Sequence, residues 1–321
     1  MRALIGSSWF RAVVSAVLLA AVLSRVDGAA LAQALARAQP GYLVAGVLLG
    51  LLQVLLAAYR WHMLLDRGGS AVPFAAVLRI QFVSGFFGLF LPGGVGTEVI
   101  RLYSLSRLTG SVALSVTSIL VERAFALLTL FALVQAGLLL SPPGMPDGVA
   151  AAGWTGFAVL GALAAALMLP AARRATGGAL RAVGLGRLQA RLEGVHAGLD
   201  AYRRRPGMVA WALAMAVVYQ LLRMAPGVTA LWALGVEVSF IHCLVMLPII
   251  TLLTLLPLSV AGVGVREASF VTLFGLVGVP AEAALAASVL AFLLIVVSLL
   301  PGVWIYAMDR VTRARRPAPG A

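Results

Sequence analysis

Seven charged residues fall inside apolar stretches of this sequence: Glu98 and Arg101, Glu122 and Arg123, Arg223, and Arg266 with Glu267. A charge at the centre of a bilayer costs about 2.5 to 3.5 kcal/mol on insertion scales, so such residues are rare unless paired or functional. Four are positive and three negative, which leaves a local excess of one positive charge. That set suits anion recognition, because the planar guanidinium fork makes two charge-assisted hydrogen bonds to phosphate oxygens. Glu98 and Arg101 are three apart, so pairing along one helix face is expected, with Glu98 and Glu267 orienting the arginines or taking up protons. No recognisable nucleophile–base pair accompanies them, so no catalytic residue is assigned.

The elements that must hold these charges are membrane helices. The 321 residues are 62% hydrophobic and 11% charged, and mean hydropathy is +1.04, far from a globular chain at about 45–50% apolar. All 24 basic residues are Arg against 11 acidic ones, and such an excess in a membrane chain points to cytoplasmic loops and anionic lipid headgroups, not nucleic acid. Cys243 is the sole cysteine, inside an apolar run, and His62, His196 and His242 are isolated from one another. No disulfide, metal site or cofactor is expected.

A span needs about 20 apolar residues to cross about 30 Å of hydrocarbon. Six segments meet or approach that length: 9–26, 40–59, 111–140, 149–169, 208–234 and 283–306. The first resembles a signal peptide, but Arg25 and Asp27 interrupt the pattern, and an uncleaved span is expected. Two more apolar regions, 73–108 and 240–280, are broken in the middle, one at Pro92, Gly93, Gly94 and Gly96, the other at Pro257, Gly262 and Gly264. The piece from Glu267 to Val279 is short for a crossing. Two re-entrant helical hairpins are therefore expected, since broken backbone at depth must line protein or a wet cavity; eight full spans are the alternative.

The Arg distribution supports one orientation. The loop 170–206 holds Arg173, Arg174, Arg181, Arg187, Arg191, Arg203, Arg204 and Arg205, and the tail 310–321 holds Arg310, Arg313, Arg315 and Arg316. Both are cytoplasmic by the positive-inside rule, and counting crossings puts both termini inside, with Arg60, Arg67, Arg101 and Arg107 on or towards the same side. The fold class is thus an all-α polytopic membrane protein, a single membrane domain over 1–309. The order span, span, broken hairpin, span occurs over about 9–140 and again over 149–306, starting from the opposite side. Gly/Pro-interrupted segments at matching places in oppositely oriented halves are the sequence mark of a transporter inverted repeat, and the halves of both breaks would aim helix N-termini with unpaired N–H groups at an anion. The loop also carries Leu188, Leu192, Val195, Leu199 and Tyr202 at helical spacing, a basic amphipathic helix on the membrane surface or a solvated linker.

The Gly-rich runs are not nucleotide fingerprints, since neither follows a strand or supplies a P-loop lysine. Instead Phe90-Leu91-Pro92-Gly93-Gly94-Val95-Gly96-Thr97-Glu98 with Arg101, the pair Glu122-Arg123, and Leu256-Pro257 through Gly262-Val263-Gly264-Val265-Arg266-Glu267 resemble the transmembrane domain of lysylphosphatidylglycerol synthases. The resemblance covers almost the whole chain and implies a lipid-translocating domain of the bacterial inner membrane. The family pattern more often has Gly-Asp at Thr97-Glu98 and Asp-Arg at Glu122-Arg123, departures that keep the charge and bear on fine specificity. Full synthases add a soluble aminoacyl-transfer domain, for which the longest polar loop here, about 37 residues, is too short.

The function expected is a flippase for an anionic or modified phospholipid or lipid-linked headgroup, and not an enzyme. The alternatives are a membrane-embedded transferase and an accessory subunit that recruits a separate lipid- or glycan-modifying enzyme.

Overall fold

In the computed structural model, residues 27–67, 72–91, 96–140, 148–151, 153–158, 206–255 and 262–314 are described, with residues 17, 19–21, 24 and 259. Most of the expected spans 9–26 and 149–169, the loop 170–206 apart from its last residue, the end of the tail, and Pro92, Gly93, Gly94 and Pro257 lie outside the described residues.

The protein is an all-α polytopic membrane protein. Its described helices are α1 (Gly28–Ala36), α2 (Pro40–Arg67), α3 (Phe74–Leu89), α4 (Gly96–Thr109), α5 (Val112–Leu140), α6 (Pro206–Ala233), α7 (Phe240–Leu255), α8 (Val265–Gly275), α9 (Ala281–Leu299) and α10 (Pro301–Ala314). Among the described residues, four stretches are long and apolar enough to cross a membrane: Pro40–Asp66, Val112–Leu140, Ala210–Ala233 and Ala281–Met308. By contrast α3, α4, α7 and α8 have 16, 14, 16 and 11 residues, so α8 reaches only about 16 Å.

Two boundaries differ from the sequence expectation. The span expected over 40–59 continues to Arg67 because the charge of Arg60, which seemed to end it, is met inside the protein by Glu122. The span expected over 283–306 divides at Leu300, where Pro301 begins α10; the missing proline N–H suits a first helical position. A further short helix, α1, precedes α2, its first turn capped by Asp27, whose Oδ1 accepts from the Ala29 N–H at 2.9 Å.

The long helices α2 and α6 form the centre and run antiparallel. Gln39 N–H donates to Ala233 O at 2.8 Å, Tyr42 meets Trp232 edge-on at one end, and Tyr59 meets Trp211 near the other. Around this pair the packing is reciprocal. As α2 packs on α3 and α9, α6 packs on α7 and α5; α3 folds on α4 as α7 folds on α8, and α4 lies on α5 as α8 lies on α9. Exchanging α2–α5 for α6–α9 therefore maps the packing of these eight helices onto itself.

Close approach depends on small residues, as in membrane helix pairs generally. Gly46 and Gly50 on α2 admit α9 through Leu294 and Ser298. In the first hairpin, a Cβ on Gly88 would lie 2.6 Å from the Thr97 backbone nitrogen, so the backbones of α3 and α4 touch at the tip. Gly262 and Gly264 in the second break have φ of 76° and 84°, a left-handed conformation that costs glycine little.

Gly88→Val should cost about 1–3 kcal/mol by overpacking a contact in which the neighbour is backbone and cannot yield. Gly41→Ala, with open space around it, should melt like the parent. Thermal unfolding in detergent followed by tryptophan fluorescence measures both, and equal melting temperatures would show that the hairpin does not depend on this contact.

Candidate functional site: a cation-rich cavity inside the helix bundle

A cavity of about 340 Å³ opens between the two hairpins and the central pair. Leu89, Leu91 and Thr97 reach it from the first tip, and Thr254, Leu255 and Gly262 from the second. Arg60, Glu98, Arg101, Glu122, Arg123, Arg223 and Arg266 line it, so five helices converge their charges on one space. Glu267 stands behind Arg266 and pairs with it at 2.5 Å.

The deepest charges form a three-membered set. Glu122 on α5 accepts from Arg60 Nη2 of α2 at 2.8 Å through Oε1, and from Arg101 Nη2 of α4 through Oε2. Arg60 is 2%, Arg101 6% and Glu122 6% exposed, so one carboxylate holds three helices together where water cannot screen it. Each guanidinium also covers an aromatic ring: Arg60 lies 4.4 Å from the centroid of Tyr219, Arg101 3.9 Å from Trp61, and Arg266 4.2 Å from Phe292. Such contacts contribute about 0.5–2 kcal/mol when desolvated and fix the plane of the guanidinium.

The remaining charges are looser. Glu98 Oε1 meets Arg123 Nη1 at 3.0 Å. Arg223 has no carboxylate partner among the described residues, and its Nη1 donates to the Tyr219 hydroxyl at 3.4 Å. Counting Glu267, five arginines oppose three glutamates, an excess of two positive charges. Arg60 Nε and Nη1, Arg101 Nε and Arg266 Nε keep hydrogens without a protein partner. Helices α7 and α9 add no charge to the lining, to which they contribute Leu247, Ile250, Phe292, Ile295 and Leu299.

All seven charged residues singled out in the sequence belong to this region, but two readings of them need correction. Glu98 and Arg101 do not pair along α4; Glu98 turns to Arg123 and Arg101 to Glu122. A carboxylate from a neighbouring helix offers a buried guanidinium in-line contact, and the i,i+3 pair on the same helix would leave Glu122 with one partner. The second helix N-terminus is not open either, because Glu267 Oε2 accepts from the Gly264 N–H at 2.6 Å, and the Arg266 N–H goes to Gly262 O. The carboxylate at the third helical position closes back on its own helix. Arg60, a residue the sequence reading does not include in the site, also lines the cavity. The signal available for it was the apolar run that resumes after it, Trp61 to Leu65.

Fold and site together define a polytopic membrane protein whose helices enclose a polar, cation-rich intramembrane cavity. The chain belongs to the family described as the lysylphosphatidylglycerol synthase TM region, whose family model matches residues 8–302. No curated protein matches it.

Glu122→Gln should destabilise the protein by about 3–5 kcal/mol, since it strands two buried guanidiniums. Glu98→Gln should stay within about 1 kcal/mol, since its pair is partly open. Chemical unfolding in detergent reads both; equal losses would mean that Glu122 is not the clamp. Adding Arg60→Met to Glu122→Gln should recover part of the loss.

Proposed function

We propose that this protein translocates an anionic or modified phospholipid, or a lipid-linked headgroup, across the bacterial inner membrane. The observation that carries the reading is the mixed lining of the cavity, in which arginines with two excess positive charges meet apolar side chains contributed mostly by α7 and α9. A phosphate-bearing headgroup suits the first and acyl chains suit the second, whereas a small soluble anion would have no use for the second. Arg223, which lines the cavity and has no carboxylate partner among the described residues, supports an acceptor-rich ligand. The three carboxylates are all engaged by arginines, which favours guarding and orienting roles over general-base catalysis and so favours transport over a membrane-embedded transferase.

Movement across the membrane follows from an inverted repeat. The reciprocal packing of α2–α5 and α6–α9 around an antiparallel central pair supports two oppositely oriented halves, with α3–α4 and α7–α8 as re-entrant hairpins meeting near mid-membrane. A site between two such halves is reached from either side by small rocking of one half against the other. In this arrangement both termini are cytoplasmic, the first hairpin opens to the cytoplasm and the second to the outside.

Transbilayer movement of labelled phosphatidylglycerol and aminoacylated phosphatidylglycerol in proteoliposomes tests the function. Arg101→Gln and Arg266→Gln should each slow movement about tenfold or more, the loss of one charge-assisted hydrogen-bond donor set. Unchanged rates in both variants, with folding retained, would sink the site. In a Cys243→Ser background, single cysteines replacing Thr109 and Pro280 should react with a membrane-impermeant maleimide from opposite sides; reaction of both from one side would refute the inverted arrangement.

A further inference from the structure

The ion pairs of the cavity wall differ in how firmly each carboxylate is held. Glu122 has two arginines and a 7% exposed side chain, and Glu267 has Arg266, the Gly264 N–H and a 5% exposed side chain. Glu98 has one arginine, its side chain is 23% exposed and that of Arg123 is 36% exposed, and its second oxygen, Oε2, is buried without a hydrogen-bond partner. Both residues line the cavity. The Glu98–Arg123 pair is therefore the weakest of the pairs in the wall, and it stands where a ligand reaches it.

Resting on the proposed function, we infer that Glu98 is a built-in competitor of the lipid headgroup: its carboxylate occupies Arg123 in the empty site, and a phosphate takes Arg123 from it. Two features make the exchange feasible. The lining and its supporting pair count five arginines against three glutamates, so one more monoanion leaves the set positive. Glu98 also lies in the first turn of α4, where the positive end of the helix stabilises a carboxylate that has let go of its partner. Arg101 on the same helix, Glu122 beside Arg123 on α5, Arg60 on α2, Tyr219 and Arg223 on α6, and Arg266 on α8 face the same space, while α3 offers it the neutral Gln81. None of the other carboxylates is so placed, because freeing Glu122 would strand two guanidiniums and freeing Glu267 would open the cap of α8.

The exchange makes the site selective. A neutral lipid entering the cavity leaves the Glu98–Arg123 pair closed, and only an anion strong enough to replace a carboxylate opens it. Glu98 thereby sets the threshold, trading affinity for discrimination, and releases the headgroup again by returning to Arg123.

Binding of dihexanoyl phosphatidylglycerol to the purified protein in detergent, measured by calorimetry beside inorganic phosphate and dihexanoyl phosphatidylcholine, reads this directly. Glu98→Gln should bind the anionic lipid about fivefold more tightly than the parent, the scale of one partly exposed ion pair, and should discriminate less against phosphatidylcholine. Arg123→Gln should weaken anionic binding, and adding Glu98→Gln to it should restore nothing, because the gain requires Arg123. Tighter binding of inorganic phosphate in Glu98→Gln to the same degree, without dependence on the lipid, would assign the exchange to a free anion and overturn the headgroup. Parent binding with equal or weaker binding by Glu98→Gln would overturn the competitor while leaving the proposed function standing. No binding of the anionic lipid by either protein would overturn both.

Discussion

Glu122 sits between two guanidiniums that arrive from different helices, and the inner end of the bundle is organised around that contact. A buried carboxylate alone is untenable, and one arginine would neutralise it; the second arginine makes the set net positive and ties α2, α4 and α5 at a single point. Its stability is costly in desolvation, so the gain is in specificity more than in free energy. With α4 fixed through Arg101, Leu89, Leu91 and Thr97 at the facing ends of α3 and α4 line the cavity. Trp61 and Tyr219 complete the arrangement by covering the guanidinium faces that no carboxylate reaches.

What the amino-acid sequence made legible follows from hydropathy and punctuation. The four long spans and both broken regions stand out because a bilayer demands apolar length and because Gly and Pro break helices in known ways. The intramembrane charges were equally plain, since each interrupts an apolar run. Their partners were not. Spacing along one helix suggested Glu98 with Arg101, but a pairing across helices depends on how α4 rotates against α5, and rotation is set by packing at places such as Gly88 and Thr97 that leave no periodic trace. Arg60 was missed for the same reason: a charge at the edge of an apolar run reads as the end of a span until the carboxylate that neutralises it is known.

The reciprocal packing of the two halves contrasts with their unequal chemistry. The first set of helices supplies Arg60, Glu98, Arg101, Glu122 and Arg123, while the second supplies Arg223, Arg266 and Glu267. On α9, which packs as α5 does, no charge follows Glu282, and Phe292 faces the cavity beneath Arg266. A near-symmetry of packing thus encloses a cavity whose charges come mostly from one half of the chain. For an amphipathic ligand this is the more useful outcome, because a symmetric polar cavity would have nowhere to receive hydrocarbon.

The same asymmetry bears on how a ligand would pass. Arg60 lies about 30 Å along α2 from its first residue, counting 1.5 Å per residue, and so towards the far end of that helix, whereas Arg266 lies in the first turn of α8. On the proposed function, a headgroup passing through the cavity would exchange one stacked guanidinium for another, Arg101 over Trp61 for Arg266 over Phe292, with Arg123 of α5 and Arg223 of α6 also in the lining. Arg101 and Arg266 would each offer a partly committed donor, since each already serves a carboxylate. Binding at either would then be weak enough to leave, which a pathway requires and a storage site does not.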